Sequence, residues 1–439
     1  MKESVFNFPL TIGETAFLYN TFSDTLIRKT LVVEQCLNGN DANSKEVTRN
    51  LVDNGFLVED DENEVEKVKT LRLQNRYSSK VYSLVVNLTL DCNLKCWYCY
   101  ENHSTKTYID DNVLNKILKH LELKSMLSSF EVLNLTLFGG EPMMNYKAMK
   151  TLLLGVRELA KRMNFKVKIT IVTNGTLVSN KCIELLKHFD VRFQVTIDGD
   201  KSTHDSIRTF RKTFIKKSSY QTIINSLQLL NQAQANFYFT LRVNYDENVL
   251  PKIKALLADL NFLDRYKTVF CLQQVWQTSN DKIKIDSLLE AQNLINEAGF
   301  ALSSMVFSRT YCNCDADNLH QAIINYDGKV FKCTARDFNK EHCYGNLTES
   351  GLIVWNTPKV ESRLALKLPE KCTSCKLLPC CPGICSQKLL ENKETNTIPC
   401  PFPFDKGMSI NDIILFNVKQ KLITKKNEKE YNDFSRIVS

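Results

Sequence analysis

Residues 83–101 read SLVVNLTLDCNLKCWYCYE. Ser83–Leu90 has the apolar, β-branched character of a strand. Three thiols follow at once, Cys92, Cys96 and Cys99, separated by three and then two residues, with Tyr98 just before the last. This spacing can fold three thiolates around one iron–sulfur cluster and leave its fourth iron without a protein ligand. Thiolates suit zinc as well, but structural zinc usually takes paired C-x-x-C elements and a fourth ligand, and no fourth thiol is near. An iron with an open position chelates a small molecule and passes it an electron. The stretch therefore predicts a redox enzyme whose metal loop is delivered by a strand.

Downstream the pattern alternates. Strand-like segments recur at Val132–Phe138, Val167–Val172, Arg192–Ile197, Phe237–Val243 and Thr268–Val275. Segments with helical spacing lie between them at Asp111–Leu123, Tyr146–Met163, Asn180–Phe189, Tyr220–Ala233 and Leu250–Leu260. Such alternation implies parallel strands joined by right-handed helical crossovers. Six strand–helix units fall short of the eight that close a full barrel. The expected fold class is α/β, a partial (β/α)6 TIM-like barrel with one side open to a large substrate. Ligand chemistry in such folds gathers at the carboxyl ends of the strands. The polar signatures fall there: the cysteine loop, Gly139-Gly140-Glu141-Pro142, Thr173-Asn174-Gly175, Asp198-Gly199 and Asn244.

The chain of 439 residues is 43% hydrophobic and 24% charged, ordinary globular composition with room for two or three domains. No run of 18 apolar residues suggests a transmembrane helix. The N-terminus, MKESVFNFPLTIGETAF, lacks a signal-peptide pattern, so a cytoplasmic location with reduced thiols is expected. Of 16 cysteines, ten crowd between Cys312 and Cys400, which predicts a second metal-rich region. The net charge of +8 includes basic stretches at Arg208, Arg211, Lys212, Lys216 and Lys217 and at Lys419–Lys429. Phe210 and Phe214 fall within the first, but neither stretch carries an interleaved aromatic platform, so a solvated face is preferred to nucleic-acid binding. A basic face would also suit an acidic peptide or an acidic electron-donor protein.

The triplet with its aromatic resembles the radical SAM superfamily, whose members bind S-adenosylmethionine at the free iron of a 4Fe–4S cluster and cleave it to a hydrogen-abstracting 5′-deoxyadenosyl radical. The resemblance implies that Gly139, Gly140 and Glu141 hold the methionine amino group, that Tyr98 lies near the adenine, and that Thr196 contacts the ribose. It assigns the carboxylate to Arg208, whose other, less favoured reading is a surface cation. Asn174 is a further candidate contact, or simply part of an Asn-Gly turn. The C-terminal cysteines resemble a SPASM domain, which holds auxiliary clusters. Position by position, this gives Cys372, Cys375, Cys381 and Cys400 to a distal 4Fe–4S cluster, and Cys333 and Cys385 to a proximal one. Cys312, Cys314 and Cys343 are more candidates than the proximal cluster needs. Cys380 lies outside the pattern, and Cys36, Cys182 and Cys271 read as buried small hydrophobes.

The expected organisation is a small N-terminal α+β, winged-helix-like module (1–80), the barrel (81–300), the SPASM region (301–410) and a basic helical tail (411–439). The first module reads either as a leader-peptide recognition element that adds a strand to a sheet edge or as a cap. SPASM proteins mostly modify peptides. The function implied is hydrogen abstraction from a precursor peptide with a leader, installing a modification such as a crosslink, with a flavodoxin- or ferredoxin-type electron donor. The second reading is sulfatase-type formylglycine maturation. It is weakened because Thr334, rather than an aspartate, follows Cys333, with Asp337 three residues on. The non-catalytic readings are an iron–sulfur electron carrier and a leader-binding pseudo-enzyme. Neither nucleic acid nor membrane is an expected partner.

Overall fold

The computed structural model describes residues 1–39, 44–214, 218–277, 284–303, 314–392, 400–402, 404 and 407–438, the last nine by their backbone alone. Two compact units divide the chain. The larger, the barrel unit, is Ser79–Val306, His320–Glu361 and Phe416–Ser439; the other is Met1–Ser78, Phe307–Leu319 and Ser362–Leu415.

The barrel unit is built on one sheet of eleven strands. Its strands are β1 (Val81–Thr89), β2 (Val132–Gly139), β3 (Lys166–Thr173), β4 (Asp190–Thr196), β5 (Phe237–Tyr245), β6 (Thr268–Gln274), β7 (Ala301–Leu302), β8 (Gln321–Ile324), β9 (Lys329–Phe331), β10 (Gly345–Leu347) and β11 (Ile353–Trp355). Their order is β7-β6-β5-β4-β3-β2-β1-β8-β9-β10-β11. Every pair from β7 to β8 is parallel, and β8 to β11 pair antiparallel. Sequential neighbours throughout β1–β6 make a barrel-type winding that does not close. The main crossover helices are α1 (Asp111–Ser128), α2 (Tyr146–Met163), α3 (Asn180–Leu186), α4 (Ser219–Gln232), α5 (Ile253–Asp259) and α6 (Ile285–Glu297).

The sequence pattern explains these elements. Helix α2 buries Met149, Leu152, Leu153 and Val156, a stripe at helical spacing. Asp110 caps α1 by accepting the Val113 N–H at 2.8 Å, and Ser129 ends it in the left-handed region at φ 44°. His120 on α1 joins three elements: Nε2 lies 2.7 Å from the Tyr82 hydroxyl of β1, and Nδ1 lies 2.8 Å from the Gly351 carbonyl oxygen before β11.

The six long strands fall where the alternation places them. Two short parallel strands, β7 and β8, and helix α6 were not expected. Strand β8 is wholly buried, so it carries no two-residue alternation to read. It lies beyond residue 300 yet pairs with β1, so the barrel unit does not stop where the sequence suggested. The C-terminal helix, Ile410–Val438, is no loose tail. In the barrel unit Gln420 accepts the Leu302 N–H at 2.7 Å, covering the β7 edge, and Asn427 donates to the Gly299 carbonyl at 2.9 Å.

The other unit contains a three-stranded antiparallel sheet (Asn7–Ile12, Thr15–Asn20, Thr25–Arg28) and three helices (Leu31–Leu37, Lys45–Asp53, Glu64–Tyr77). Leu57–Val58, which precedes the acidic run Glu59–Glu66, pairs with Lys2–Glu3. That run is split, because Glu64 and Glu66 open a helix, and the buried Glu64 carboxylate accepts the Ser4 hydroxyl at 2.5 Å and the Val5 N–H at 2.8 Å. Arg72 on the same helix donates to the carbonyls of Leu378 and Cys381, both at 2.7 Å, so the N-terminal helix and the cysteine-rich segment belong to one body.

Candidate functional site

At the carboxyl end of β1 the chain runs into the cysteine loop, and the loop is pinned from several sides. Asp91 does most of this. Its carboxylate accepts the Cys92 N–H at 2.9 Å, pairs with Arg211 at 2.8 Å, and accepts the Tyr108 hydroxyl at 3.1 Å. Its carbonyl accepts the Glu141 N–H at 2.8 Å. A short antiparallel ribbon then joins Leu94–Cys96 to Arg208–Phe210, with Cys96 opposite Arg208. Three-residue strands are too short to announce themselves in sequence, so this link between the triplet and the arginine was not foreseen.

Cys92 is buried, Cys96 half-buried and Cys99 exposed. Burial pushes the Cys92 thiol up to about 12 and raises Cys96; Cys99, although its surface is exposed, has enough protein packed around its sulfur for desolvation to push it up to about 11. Among the described residues no three Cys, His, Asp or Glu side chains converge on a single-ion position. Thiolates that each bind a different iron of a cubane need not converge in that way.

The glycine pair sits where the sequence placed it. Gly139 has φ +115°, a conformation L-residues rarely adopt, and a Cβ on Gly140 would lie 2.2 Å from the Asp91 carbonyl oxygen. Glu141 is fully buried. Its carboxylate accepts N–H groups of Met143 (3.0 Å) and Asn174 (2.7 Å) and the Thr173 hydroxyl (2.9 Å), tying the ends of β2 and β3 together. Desolvation raises its carboxyl to about 7, opposed by these donors. Asn174 is more than a turn residue, since its amide donates to the Asn93 side chain at 2.8 Å and lies 3.6 Å from the Cys92 sulfur. Thr196 ends β4, nearly buried at 9% exposure.

Arg208 is 7% exposed and so is no surface cation. Its Nη1 donates to the Tyr98 hydroxyl at 2.6 Å and lies 3.8 Å from the Asp198 carboxylate, while its buried Nε has no partner. Of the rest of the basic stretch, Arg211 pairs with Asp91, Lys212 is exposed, and Lys216 and Lys217 lie outside the described residues. Sequence reasoning missed Asp91 and Asn93 here; it read Arg211 only as part of a basic stretch and Thr173 only as a strand-end polar residue. Asp91 had a signal, being a carboxylate immediately before the first thiol.

The cysteine loop also meets the later hairpin within the barrel unit. The Tyr100 hydroxyl donates to the Thr334 carbonyl at 2.7 Å, and the Asn102 amide to the Asp337 carboxylate at 2.9 Å. Burial and the nearby Asp337 raise the Glu101 carboxyl to about 8. Cys333 and Cys343 lie near the two ends of the connection between β9 and β10, both half-buried.

In the other unit, Cys375 and Cys400 raise the Cys372 thiol, after burial; burial, then Cys400 and Cys375, push Cys381 up to about 12. Burial, with Cys381 and Cys375 beside it, raises Cys380 as well, so this coupling does not set Cys380 apart from the four thiols that the sequence grouped. Cys380, beside them, is buried at 3% exposure with its thiol on the Leu377 carbonyl at 3.4 Å. The buried Arg363 binds Asp317 at 3.2 Å and Ser386 at 3.1 Å, joining the turn after Cys314 to the helix after Cys385. Cys312 lies outside the described residues. Cys36 and Cys182 are buried as expected, whereas Cys271 is half-buried.

The donor set suits an iron–sulfur cluster with S-adenosylmethionine: three thiols on one loop, a backbone cradle a single Cβ would fill, and a buried guanidinium nitrogen without a partner. Comparison with known proteins agrees. Residues 86–249 match the radical SAM superfamily, and residues 314–376 match SPASM, an iron–sulfur cluster-binding domain. The chain belongs to the radical SAM superfamily and is an enzyme of that class, with 4Fe–4S clusters and S-adenosylmethionine as its cofactors. More particularly, its two matched domains make it a radical SAM/SPASM protein of the maturase family. It is 24% identical over 373 residues to the radical SAM cyclopropyl synthase TigE of Paramaledivibacter caminithermalis, covering 77% of this chain and 76% of that protein. To a cysteine-type anaerobic sulfatase-maturating enzyme of Clostridium perfringens it is 23% identical over 351 residues, 70% of this chain and 89% of that one. The crystal structure of anSMEcpe with bound AdoMet and the Kp18Cys peptide shares the fold, with TM-score 0.57 and 18% identity over 79% of this chain and 99% of that one. No helix among the described residues is long and apolar enough to cross a membrane.

Proposed function

We propose that this enzyme modifies a ribosomally made peptide, abstracting a hydrogen from one of its side chains to install a crosslink or similar modification. The observation that carries the reading is the gathering of the Cys92–Cys99 loop, the Gly139-Gly140 cradle, Asn174 and the buried Arg208 at one rim of an unclosed barrel. When bound, S-adenosylmethionine and a reduced cluster supply the 5′-deoxyadenosyl radical. The chain's own part is to hold and orient. Cys92, Cys96 and Cys99 hold the iron, and their raised thiol pKa values mean that loading releases protons. Gly139 and Gly140 bring backbone close to the amino end of the cofactor, Thr196 faces its ribose, the Tyr98 ring its adenine, and Arg208 its carboxylate. Cys372, Cys375, Cys381 and Cys400 hold the distal cluster. Cys333 and Cys385, with members of Cys312, Cys314 and Cys343, hold the proximal one. Residues 1–80 serve as the leader-peptide element, and a flavodoxin- or ferredoxin-type protein delivers the electron.

The peptide class is supported by the Kp18Cys peptide bound to anSMEcpe, whose fold this chain shares. Sulfatase-type maturation is favoured only by the similarity to the sulfatase-maturating enzyme, and Thr334 after Cys333 speaks against it. The test is direct. Reconstituted, reduced protein is mixed with S-adenosylmethionine and analysed for 5′-deoxyadenosine. Release is expected from the wild type and not from Cys96→Ala. Co-expression with short precursor peptides encoded nearby should give a product that has lost two hydrogen atoms, the signature of a crosslink. No 5′-deoxyadenosine from iron-replete wild type would overturn the reading.

A further inference from the structure

A phenol hydroxyl has one hydrogen to give and two lone pairs to receive with. In Tyr98 all three are used. The hydroxyl donates to the Asp198 carboxylate, accepts Arg208 Nη1 at 2.6 Å, and accepts the Asn244 amide at 3.0 Å. It has no capacity left for a ligand. The partners are fixed in turn from the ends of two strands. Asp198, fully buried after β4, accepts the Asn244 N–H at 2.8 Å, and its own N–H donates to His204 Nδ1 at 3.0 Å. Asn244 near the end of β5 accepts Arg242 Nε at 2.9 Å. The guanidinium of Arg208 is thereby held along one edge while Nε stays buried and unpartnered. A buried donor of this kind is costly unless something accepts from it.

We infer that Asp198 and Asn244, acting through the Tyr98 hydroxyl, are positioning residues that aim Arg208 so that its Nε meets the carboxylate of bound S-adenosylmethionine. The inference rests on the cofactor reading above and adds residues that do not themselves touch the cofactor. Removing the hydroxyl strands two buried partners at once, an Asp198 oxygen and Arg208 Nη1, together with the half-buried Asn244 amide. The guanidinium is then free to rotate onto Asp198, which lies 3.8 Å away, and its Nε turns from the site.

The test uses the reconstituted full chain and the Tyr98→Phe and Asn244→Ser variants. Three quantities are measured: iron per chain, S-adenosylmethionine affinity by equilibrium dialysis, and the change that S-adenosylmethionine causes in the electron paramagnetic resonance spectrum of the reduced cluster. Tyr98→Phe should keep its iron and its cofactor-free spectrum but bind S-adenosylmethionine about tenfold or more weakly, the scale of one lost buried charged hydrogen bond. Asn244→Ser should fall between it and wild type. Iron-replete variants with wild-type affinity and spectral change would overturn the inference and leave the cofactor reading intact. A wild type that neither binds nor cleaves S-adenosylmethionine would overturn the cofactor reading itself. If Tyr98→Phe loses its iron, Asn244→Ser decides by the same two criteria.

Discussion

Replacing Gly140 by alanine puts a methyl carbon 2.2 Å from the Asp91 carbonyl oxygen, 2.6 Å from its carbon and 2.7 Å from the Leu90 oxygen. All three are backbone atoms. The Asp91 carbonyl would have to retreat by about 1.2 Å to reach ordinary contact near 3.4 Å, and it accepts the Glu141 N–H at 2.8 Å. Overpacking against a rigid neighbour costs about 1–3 kcal/mol, and leaving a buried N–H unpaired costs about 1–3 kcal/mol more. The sum, about 2–6 kcal/mol, is a large part of a typical folding free energy of about 5–15 kcal/mol. The displaced residue is next to Cys92, so cluster binding should suffer with stability. Gly155 in α2 is the control. There a Cβ would meet the Leu118 side-chain end at 2.7 Å, which can move, and alanine gains about 1 kcal/mol of helix propensity. Thermal midpoints and iron content of Gly140→Ala, Gly155→Ala and wild type are compared. Gly140→Ala should melt many degrees lower and lose iron, while Gly155→Ala stays within a few degrees. A Gly140→Ala protein with wild-type melting and full iron would show that the close approach is unimportant.

Three other outcomes are expected. Burial lowers the His120 pKa to about 4, so below pH 6.5 the unfolded chain takes up a proton that the native state refuses. Stability from this group is therefore complete above pH 6.5 and falls with pH, by about 2 kcal/mol at pH 5. Glu141, raised to about 7, works with the opposite sign in this window, so the wild-type-minus-His120→Gln difference between pH 7 and 5 is the diagnostic quantity; no change in that difference would refute the assignment. Asp317→Ala leaves the Arg363 cation buried without its carboxylate and should cost about 3–5 kcal/mol, with lower iron content. Cys400→Ser should remove about four irons per chain, one cubane, whereas Cys380→Ser should leave the count unchanged. Equal counts in both variants would contradict the distal ligand set.

The long strands, the amphipathic helices and the strand-end signatures were legible because each writes a period or a breaker into the sequence. Strand β8 was not, since a strand buried on both faces has no alternation and four residues are too few to distinguish it from a loop. The ribbon that seats Arg208 beside Cys96 was hidden for a similar reason: pairing over three residues depends on what the tertiary fold brings together. The thiols and glycines of the site could be read from chemistry and spacing. Asn244 and Asp198 could be seen only as strand-end polar residues, because their work depends on a hydroxyl 146 and 100 residues away. The splitting of the acidic run at Glu64 reflects a helix start that a count of charges does not reveal.

The pairing of β8 with β1 bears on how such chains can be recombined. The strand that delivers the metal loop has β2 on one side and a segment from beyond residue 300 on the other. A chain ended at Val306 would leave one backbone edge of β1 without its partner, open to pairing with another molecule. Exchange of the cysteine-rich region between relatives therefore has its seam after Glu361, where the barrel unit's second segment ends, provided that residues 1–78 are exchanged with it and the chain from Phe416 on is kept. Splices placed at that seam should give soluble chimeras, and splices near residue 306 should aggregate.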